Sequence, residues 1–445
     1  MVSIRNNFSI IKLLFVLSLS IPILLTTGPF LPDLFLTISI FIFIFYVIRE
    51  NKIYLIIKKK FFIFFFIFWL FLLLCSALGN IDNYSVSFKS SIPYLRFGIF
   101  VVLFAYLSQN FIDFKEKLII STIIAISICT ISGTYQALSV RFELLYEIIE
   151  MFNTFSKEEF NYHWGTLGPT KMNRISLPFS DWMVAGSLMM RLFPIALMFI
   201  FLKNHLTINK KILFNIFFFL SSIVILMSGE RASIILFIFE ILILLILSKK
   251  LRNYLKVSII ISLIFGTLIL TIDPISKGRL IGQTISNLKG ETSQIKKKYI
   301  ISEHHEKHFI GAWKIFLDNK IFGSGLKGYR YECYNNPKYS KDKDIICSSH
   351  PHNNVMQFIS ELGIIGLILY SLLFVYLSLK LLSYFFKVNI KKISFSKEQE
   401  IKMFAFVALF ITFWPLTTSG NFFNNWLSII YFLPVFFILE RNKES

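Results

Sequence analysis

Residues 61–74 read FFIFFFIFWLFLLL, and no polar residue interrupts this run. A second long apolar run covers 232–247, where Glu240 is the one charged residue. Such runs match the roughly 20 residues that an α-helix needs to cross about 30 Å of hydrocarbon. Lipid offers no hydrogen-bonding partner to backbone groups, so each run must be helical. The sequence therefore predicts an all-α polytopic membrane protein.

Composition and charge distribution argue against a soluble domain, a membrane barrel and a nucleic-acid-binding protein. Of the 445 residues, 55% are hydrophobic and 52 are Phe, more apolar surface than a soluble domain can hide. No alternating strand pattern of a membrane barrel is visible. The formal net charge of +20 would suit nucleic acid, but the charges lie in short clusters between apolar runs. That distribution is typical of cytoplasmic loops, so we expect membrane lipids and no nucleic acid as partners.

We predict about twelve transmembrane helices. The first is interpreted as a retained helix rather than a cleaved signal peptide, because no convincing small-x-small cleavage site follows it. The predicted spans are 11–26, 31–48, 61–78, 93–107, 118–135, 184–202, 212–227, 232–247, 257–271, 355–377, 403–414 and 426–439.

Alternate loops carry the basic residues, which predicts the orientation. The loops at 27–30 and 417–425 contain no Lys or Arg, and 80–91 contains only Lys89, whereas the intervening loops are rich in Lys. We therefore expect a bacterial inner-membrane protein with both termini cytoplasmic. Its predicted organisation is helices 1–9 in 1–271 with a periplasmic loop at 136–183, a large periplasmic loop at 272–354, and helices 10–12 in 355–445.

The cysteines agree with this orientation. Cys75 and Cys129 lie within spans, where we expect inert core residues. Cys333 and Cys347 both lie in the large loop, where an oxidising compartment permits a disulfide. Two free thiols are the alternative.

The first candidate for chemistry is the turn 228–231 (SGER), which puts Arg231 at the outer membrane surface. Alone, it would be interpreted as a snorkelling arginine at a helix end. Arg174 and Arg191 accompany it. On a helix beginning near Asp181, Arg191 would lie about 15 Å along, inside the membrane, where an unpaired cation is costly. A buried pair with Glu240 is the structural alternative.

The second candidate is 349–354 (SHPHNN), directly before a span. His352 titrates near neutral pH and can accept a proton from a hydroxyl. Pro351 stiffens the backbone before His352, and Asn353 is placed to orient the His352 ring. His350 is a further candidate for binding the substrate.

A third cluster, 303–308, reads EHHEKH. His304 and His308 would share a helix face, as in a metal site. No third ligand follows at a set spacing, so a polar amphipathic turn lying on the membrane is the preferred interpretation.

Together these segments resemble the O-antigen ligase and polymerase superfamily, which are membrane glycosyltransferases of the GT-C type. His352-Asn353, nine residues, Gly363-x-x-Gly366 is similar to the ligase pattern in the large loop. Three further stretches look like signatures of the family. The first is the turn Ser228–Arg231, and the second runs from Arg174 through Asp181 to Arg191 and Pro194. The third runs from Trp313 to the Gly323-x-Gly325 turn. The resemblance covers about 174–366. One departure is that His304, His305 and His308 stand where many relatives place Arg.

The resemblance implies a donor glycan on undecaprenyl diphosphate and, for a ligase, a lipid A–core oligosaccharide as acceptor. Arg231 and Arg191, assisted by Arg174, would clamp the diphosphate, with His350 and Asn353 nearby. His352 would take the proton of the acceptor hydroxyl, with inversion at the anomeric carbon. The first outer loop holds only one acidic residue, Asp33, so we expect neither metal nor cofactor.

Two other functions remain open. An O-antigen polymerase would join repeat units linked to undecaprenyl diphosphate by the same chemistry. A polysaccharide or lipid transporter should line its midplane with polar, broken helices, often in two related halves. Only Glu240 and Arg191 approach that description, and no internal repeat is visible.

Overall fold

A computed structural model describes residues 2–79, 84–138, 175–179, 182–202, 207–290 and 301–439. These residues form helices joined by turns and short irregular segments, and no strand occurs among them. The all-α class expected from the apolar runs is therefore confirmed.

The helices before residue 273 follow the apolar runs. They are α1 (Val2–Leu24), α2 (Phe30–Arg49), α3 (Lys60–Leu78), α4 (Tyr84–Ser91), α5 (Leu95–Asn110), α6 (Phe114–Gln136), α7 (Ala185–Leu197, followed by Phe199–Leu202), α8 (Ile208–Met227), α9 (Arg231–Leu247) and α10 (Lys249–Ile272). Single turns also form at Tyr54–Ile57 and Pro274–Lys277.

The remaining helices belong to the predicted large loop and to the C-terminal spans. They are α11 (Gln283–Lys289), α12 (Glu303–Asp318), α13 (Gly328–Asn335), α14 (Asn354–Phe385), α15 (Lys397–Thr412) and α16 (Asn425–Leu439). Ser302 begins α12 by accepting a hydrogen bond from the backbone N–H of His305, and Ser396 begins α15 with a capping box.

Every predicted span coincides with one of these helices. Within the described residues, nine helices are long and apolar enough to cross a membrane, so this is a multi-pass membrane protein. The helices α9, α15 and α16 are shorter, with 17, 16 and 15 residues. The count of twelve crossings and the side on which each loop lies remain predictions.

The centre of the bundle is formed by α5, α7, α15 and α16, most of whose residues are buried. By contrast, α3 and α10 present exposed apolar side chains along much of their length, which lipid would cover. Asp33, which was predicted to lie in the first outer loop, is in the first turn of α2, pairs with Arg96 of α5 at 2.7 Å and accepts a hydrogen bond from Asn425 at 3.1 Å. Asp33 therefore joins α2, α5 and the start of α16.

The segment after α12 is joined to α14 where that helix kinks. Gly363 has a φ of +67°, and a Cβ at this position would collide with the carbonyl of Ile321. The kink leaves helix carbonyls free, so Ser360 O accepts from Ser324 N at 2.9 Å and Glu361 O from Gly325 N at 2.9 Å. The glycines of the family-like pattern thus form one joint between the large loop and a span.

Beyond this joint, α12 and α13 share a small core of their own. It is formed by Ala312, Ile315, Tyr329, Cys333, Tyr339 and Ile345. Cys333 and Cys347 are joined by a disulfide, with their Cα atoms 5.4 Å apart. Cys75 and Cys129 are free and buried, as expected for core residues.

Candidate functional site

The turn between α8 and α9 is clasped by the first turn of α7. Glu230 accepts hydrogen bonds from Gly186 N and from the Ser233 hydroxyl, both at 2.9 Å. Gly186 packs so closely on Ser228 that a Cβ there would collide with the Ser228 hydroxyl. Two stretches that are more than 40 residues apart in the sequence therefore meet at one corner.

Arg231 is the first residue of α9 and is half-buried at this corner. Its guanidinium makes long hydrogen bonds to the Thr284 hydroxyl at 3.4 Å and to Ile301 O at 3.5 Å. Both acceptors are uncharged, and no ion pair of Arg231 occurs among the described residues. A cation at a helix N-terminus opposes the helix dipole. The position is therefore unfavourable for stability and suited to receiving an anion.

Arg191 lies closer to the helix start than the sequence predicted. The helix begins at Ala185 rather than near Asp181, so Arg191 is about 9 Å along instead of about 15 Å. Before the helix, Leu177 N donates a hydrogen bond to Trp182 O at 3.0 Å, and Glu230 holds the first turn of the helix. Arg191 is buried and donates to Ser187 O at 3.1 Å.

The predicted alternative for Arg191 was a buried pair with Glu240. Glu240 is fully buried on α9, and Arg191 acts on it electrostatically. No described residue donates a hydrogen bond to either carboxylate oxygen of Glu240, however, and the Arg191 guanidinium turns towards Ser187 and the ring of Tyr431, 5.7 Å away. The two groups are neighbours without direct bonding.

The segment before α14 is held by its backbone. Asn353 caps the helix by accepting from Met356 N at 3.1 Å, and its amide donates to Pro415 O at 2.8 Å and Thr417 O at 3.0 Å. The preceding residue, His352, has a left-handed backbone with a φ of +55°. Its carbonyl accepts from Ser419 N at 2.8 Å. Asn353 thus positions His352 through the backbone, and none of these side-chain bonds reaches the ring.

Four imidazoles converge beside this segment, and we call His305, His308, His350 and His352 the histidine cluster. Ring centroids are 4.0 Å apart for His350 and His352, 5.0 Å for His308 and His352, and 5.4 Å for His305 and His352. The sequence did not single out His305, because it paired His304 with His308 on one helix face. In the structure α12 packs on α14, leaves His304 exposed and turns His305 and His308 to the cluster. The predicted contact of this helix with the membrane stays a prediction.

Burial lowers the pKa of these imidazoles, and neighbouring histidines add to the effect. The pKa falls to about 3 for His352 and to about 4 for His350 and His305, and that of His308 is also lowered. The rings are consequently neutral at neutral pH, and each can accept a proton. Arg231 contacts Ile301 O at 3.5 Å, directly before the Ser302 cap of α12, and it acts electrostatically on His305, so the corner of α9 lies near the cluster.

The structure thus brings together Arg231, His350 and His352 and adds His305 and His308. Arg174 lies outside the described residues. Within the part of the chain that the structure describes, no group of three or more His, Cys, Asp or Glu is arranged to hold a metal ion.

Residues 216–371 match a family described as O-antigen ligase. Two relatives carry the name "Putative polysaccharide ligase". The one from Rickettsia felis is 31% identical over 189 residues, 39% of this chain and 46% of the relative. The one from Rickettsia conorii is 35% identical over 117 residues, 24% of this chain and 27% of the relative. Over residues 216–371 the chain is similar to O-antigen ligases.

The alignments span less than half of each relative's length. The O-antigen ligase match contains Arg231, α12 and the whole histidine cluster. It ends before reaching α15 and begins after α7, so Arg191 lies outside it. The site's best-supported part is therefore the corner of α9 together with the loop and the start of α14.

Proposed function

We propose that this protein is a membrane glycosyltransferase of the O-antigen ligase type. It moves a glycan from undecaprenyl diphosphate to a hydroxyl of lipid A–core at the periplasmic face of the inner membrane. The observation that carries the proposal is the juxtaposition of the imidazoles around His352 with Arg231, which has no ion pair among the described residues, inside the matched region. A base beside an anion-binding group is what this transfer needs.

His352 acts as the general base. The acceptor oxygen forms a bond to the anomeric carbon while its proton passes to the His352 ring. The bond between that carbon and the phosphate oxygen breaks, and undecaprenyl diphosphate leaves with the electron pair. Attack from the side opposite the leaving group inverts the anomeric centre. The positive φ of His352 is a strained backbone for a non-glycine residue, as occurs at functional sites.

Arginines hold the diphosphate. The planar guanidinium fork matches phosphate oxygens in a bidentate manner. Arg231 has the charge and exposure for this role. Arg191 lies on the helix whose first turn clasps the Arg231 turn, and Arg174 is assigned from the sequence pattern alone. No metal or cofactor takes part in the proposed reaction.

Orientation follows from the basic loops and is supported by the disulfide. A disulfide between Cys333 and Cys347 requires an oxidising compartment, as expected if the large loop is periplasmic and both termini are cytoplasmic. We propose that the histidine cluster, which lies between α12 and α14, is also on the periplasmic side.

The test is glycan transfer in purified membranes from undecaprenyl diphosphate glycan to lipid A–core, with EDTA present. We expect product for the wild type and for His304→Ala, the exposed control on the same helix. We expect a loss of about 10²–10⁴-fold for His352→Ala, the usual contribution of a general base. Ladders on undecaprenyl diphosphate without lipid A–core would identify a polymerase, and undiminished activity of His352→Ala would exclude its role as base.

A further inference from the structure

The helix α12 points two imidazoles at His352, at a place where this chain departs from the arginine of many relatives. His305 and His308 are one turn apart, and their ring centroids lie 5.4 and 5.0 Å from that of His352. His308 Nδ1 lies 2.6 Å from Ile346 O, and a carbonyl only accepts. The Nδ1 of His308 therefore carries the hydrogen, and its Nε2 has a free lone pair.

The described charged groups that act on the cluster are cations. The charged and titratable groups acting on the four rings are the rings themselves, His304 on α12, Arg231 on α9 and Arg330 on α13. Tyr329 also faces α12, through a long contact from its hydroxyl to His308 O at 3.5 Å. Arg330 is partly balanced by Glu361. Among the described residues, no carboxylate acts on the imidazoles.

Such a site favours binding of an anion coupled to protonation of an imidazole. Desolvation keeps the imidazoles neutral while the site is empty. A diphosphate beside them would supply the missing negative charge and would raise their affinity for protons. Each protonated ring would then donate a charge-assisted hydrogen bond to a phosphate oxygen.

We propose that His305 and His308 form the loop side of a diphosphate-binding site, and that binding a diphosphate to the histidine cluster takes up about one proton from solution. The inference rests on the proposed function, because it takes the bound anion to be the diphosphate of the glycan donor. It adds that two loop histidines contact that group, and that the anion itself tunes the base: an imidazole whose pKa is raised towards neutrality is a better proton acceptor.

The test is calorimetric titration of the purified, detergent-solubilised full chain with inorganic pyrophosphate at pH 7.5. The protein should carry an affinity tag without histidines, and EDTA should be present. The same titration in two buffers that differ in ionisation enthalpy gives the number of protons taken up. Undecaprenyl diphosphate and inorganic phosphate serve as second and third ligands, to separate recognition of a lipid diphosphate from binding of any phosphate.

We expect proton uptake with both diphosphates and weaker binding of phosphate. The His305→Gln/His308→Gln variant should bind pyrophosphate about tenfold or more weakly and take up fewer protons. His304→Gln is the matched control on the same helix and should behave as wild type. Absence of pyrophosphate binding, binding without proton uptake in the wild type, or unchanged binding and uptake in the double variant would overturn the proposal. The wild-type measurement decides the question even if the double variant does not fold.

Failure of this inference and failure of the proposed function are distinguishable. Glycan transfer by a wild type that binds diphosphate without proton uptake would leave the proposed function standing and remove the role of the loop histidines. Proton-coupled diphosphate binding without transfer to any acceptor would leave the binding site standing and remove the proposed reaction.

Discussion

Arg231 occupies a position that helix energetics disfavour. It begins α9 as a cation at the positive end of the helix dipole, and its two hydrogen bonds go to uncharged oxygens at 3.4 and 3.5 Å. A substitution there should therefore cost little stability and much activity. This separates Arg231 from arginines that hold the fold, such as Arg96 in its 2.7 Å pair with Asp33.

Arg231→Lys should lower kcat/KM for glycan transfer by about 10–100-fold, because an ammonium cannot bind two phosphate oxygens in a fork. Arg231→Gln should lower it further, since the charge is lost as well. Arg252→Lys, on the first turn of α10, is the matched control. Initial rates over a range of donor concentrations give kcat/KM for each variant. A Lys variant as active as the wild type would contradict a bidentate clamp.

The pH dependence of transfer should report the state of His352. A base must be unprotonated, so activity falls as the pH drops through its pKa. The pKa of His352 is lowered to about 3 by burial in the free protein, so kcat/KM should hold its value well below pH 6.5. Bound diphosphate raises that pKa, so kcat should fall at a higher pH than kcat/KM does. Coincident acidic limbs in the two profiles would argue against this effect of the anion.

At the scale of elements, the joint between the large loop and α14 determines where the histidines lie. Gly363 breaks the helix, and the freed carbonyls of Ser360 and Glu361 receive the segment that follows α12. His308 is tied to Ile346 O, and Asn353 ties the start of α14 to the 415–417 turn. The cluster is thus built by docking rather than by local helix geometry.

Gly363→Ala should destabilise this joint, because the position has a positive φ and its new Cβ would meet the carbonyl of Ile321. We expect a loss of about 1–3 kcal/mol in the free energy of unfolding and a larger loss in transfer activity. Gly278→Ala is the control, since a Cβ there meets nothing within 4 Å. Thermal unfolding in detergent and protease sensitivity of the segment 303–347 measure the effect. Equal behaviour of the two variants would show that the joint does not hold the loop.

At the scale of the whole molecule, the partly buried histidines of the cluster make the protein sensitive to acid. The folded-state pKa of His305 and His350 is about 4 and that of His352 about 3, all below the unfolded value of about 6.5. Between these values the unfolded chain binds more protons, so the free energy of unfolding decreases as pH falls. Thermal midpoints should drop from pH 7 to pH 5, and less so for His305→Gln. A midpoint independent of pH over this range would contradict the burial of these rings.

The disulfide contributes to the stability of the large loop. Cys333 and Cys347 are 14 residues apart, and closing a loop of that size stabilises the folded state by about 3 kcal/mol in the chain-entropy model. Cys333→Ser/Cys347→Ser should therefore unfold at a lower temperature than the wild type. A reductant should lower the midpoint of the wild type and leave that of the double variant unchanged. Identical midpoints for the two proteins under oxidising conditions would contradict a stabilising role.

The apolar runs by themselves determined where the helices are. Each predicted span coincides with a helix because lipid leaves backbone groups no partner outside their own segment, which makes helix formation a local matter. His352 could also be named as the candidate base before the structure, from its residue type and because its spacing to Gly363 resembles the ligase pattern, and that role stays a prediction. The disulfide partners could be predicted from the sequence for another reason: they are the two cysteines outside the spans.

Only the tertiary structure decided which side chains meet. The depth of Arg191 depends on the helix start at Ala185, which Glu230 holds from 44 residues away. The choice of His305 over His304 depends on which face of α12 turns inwards, the face that also carries His308, Ala312 and Ile315. A periodicity assigns residues to faces, but the partner of a face is set by packing between distant segments. The histidine cluster therefore forms only when the large loop docks on α14.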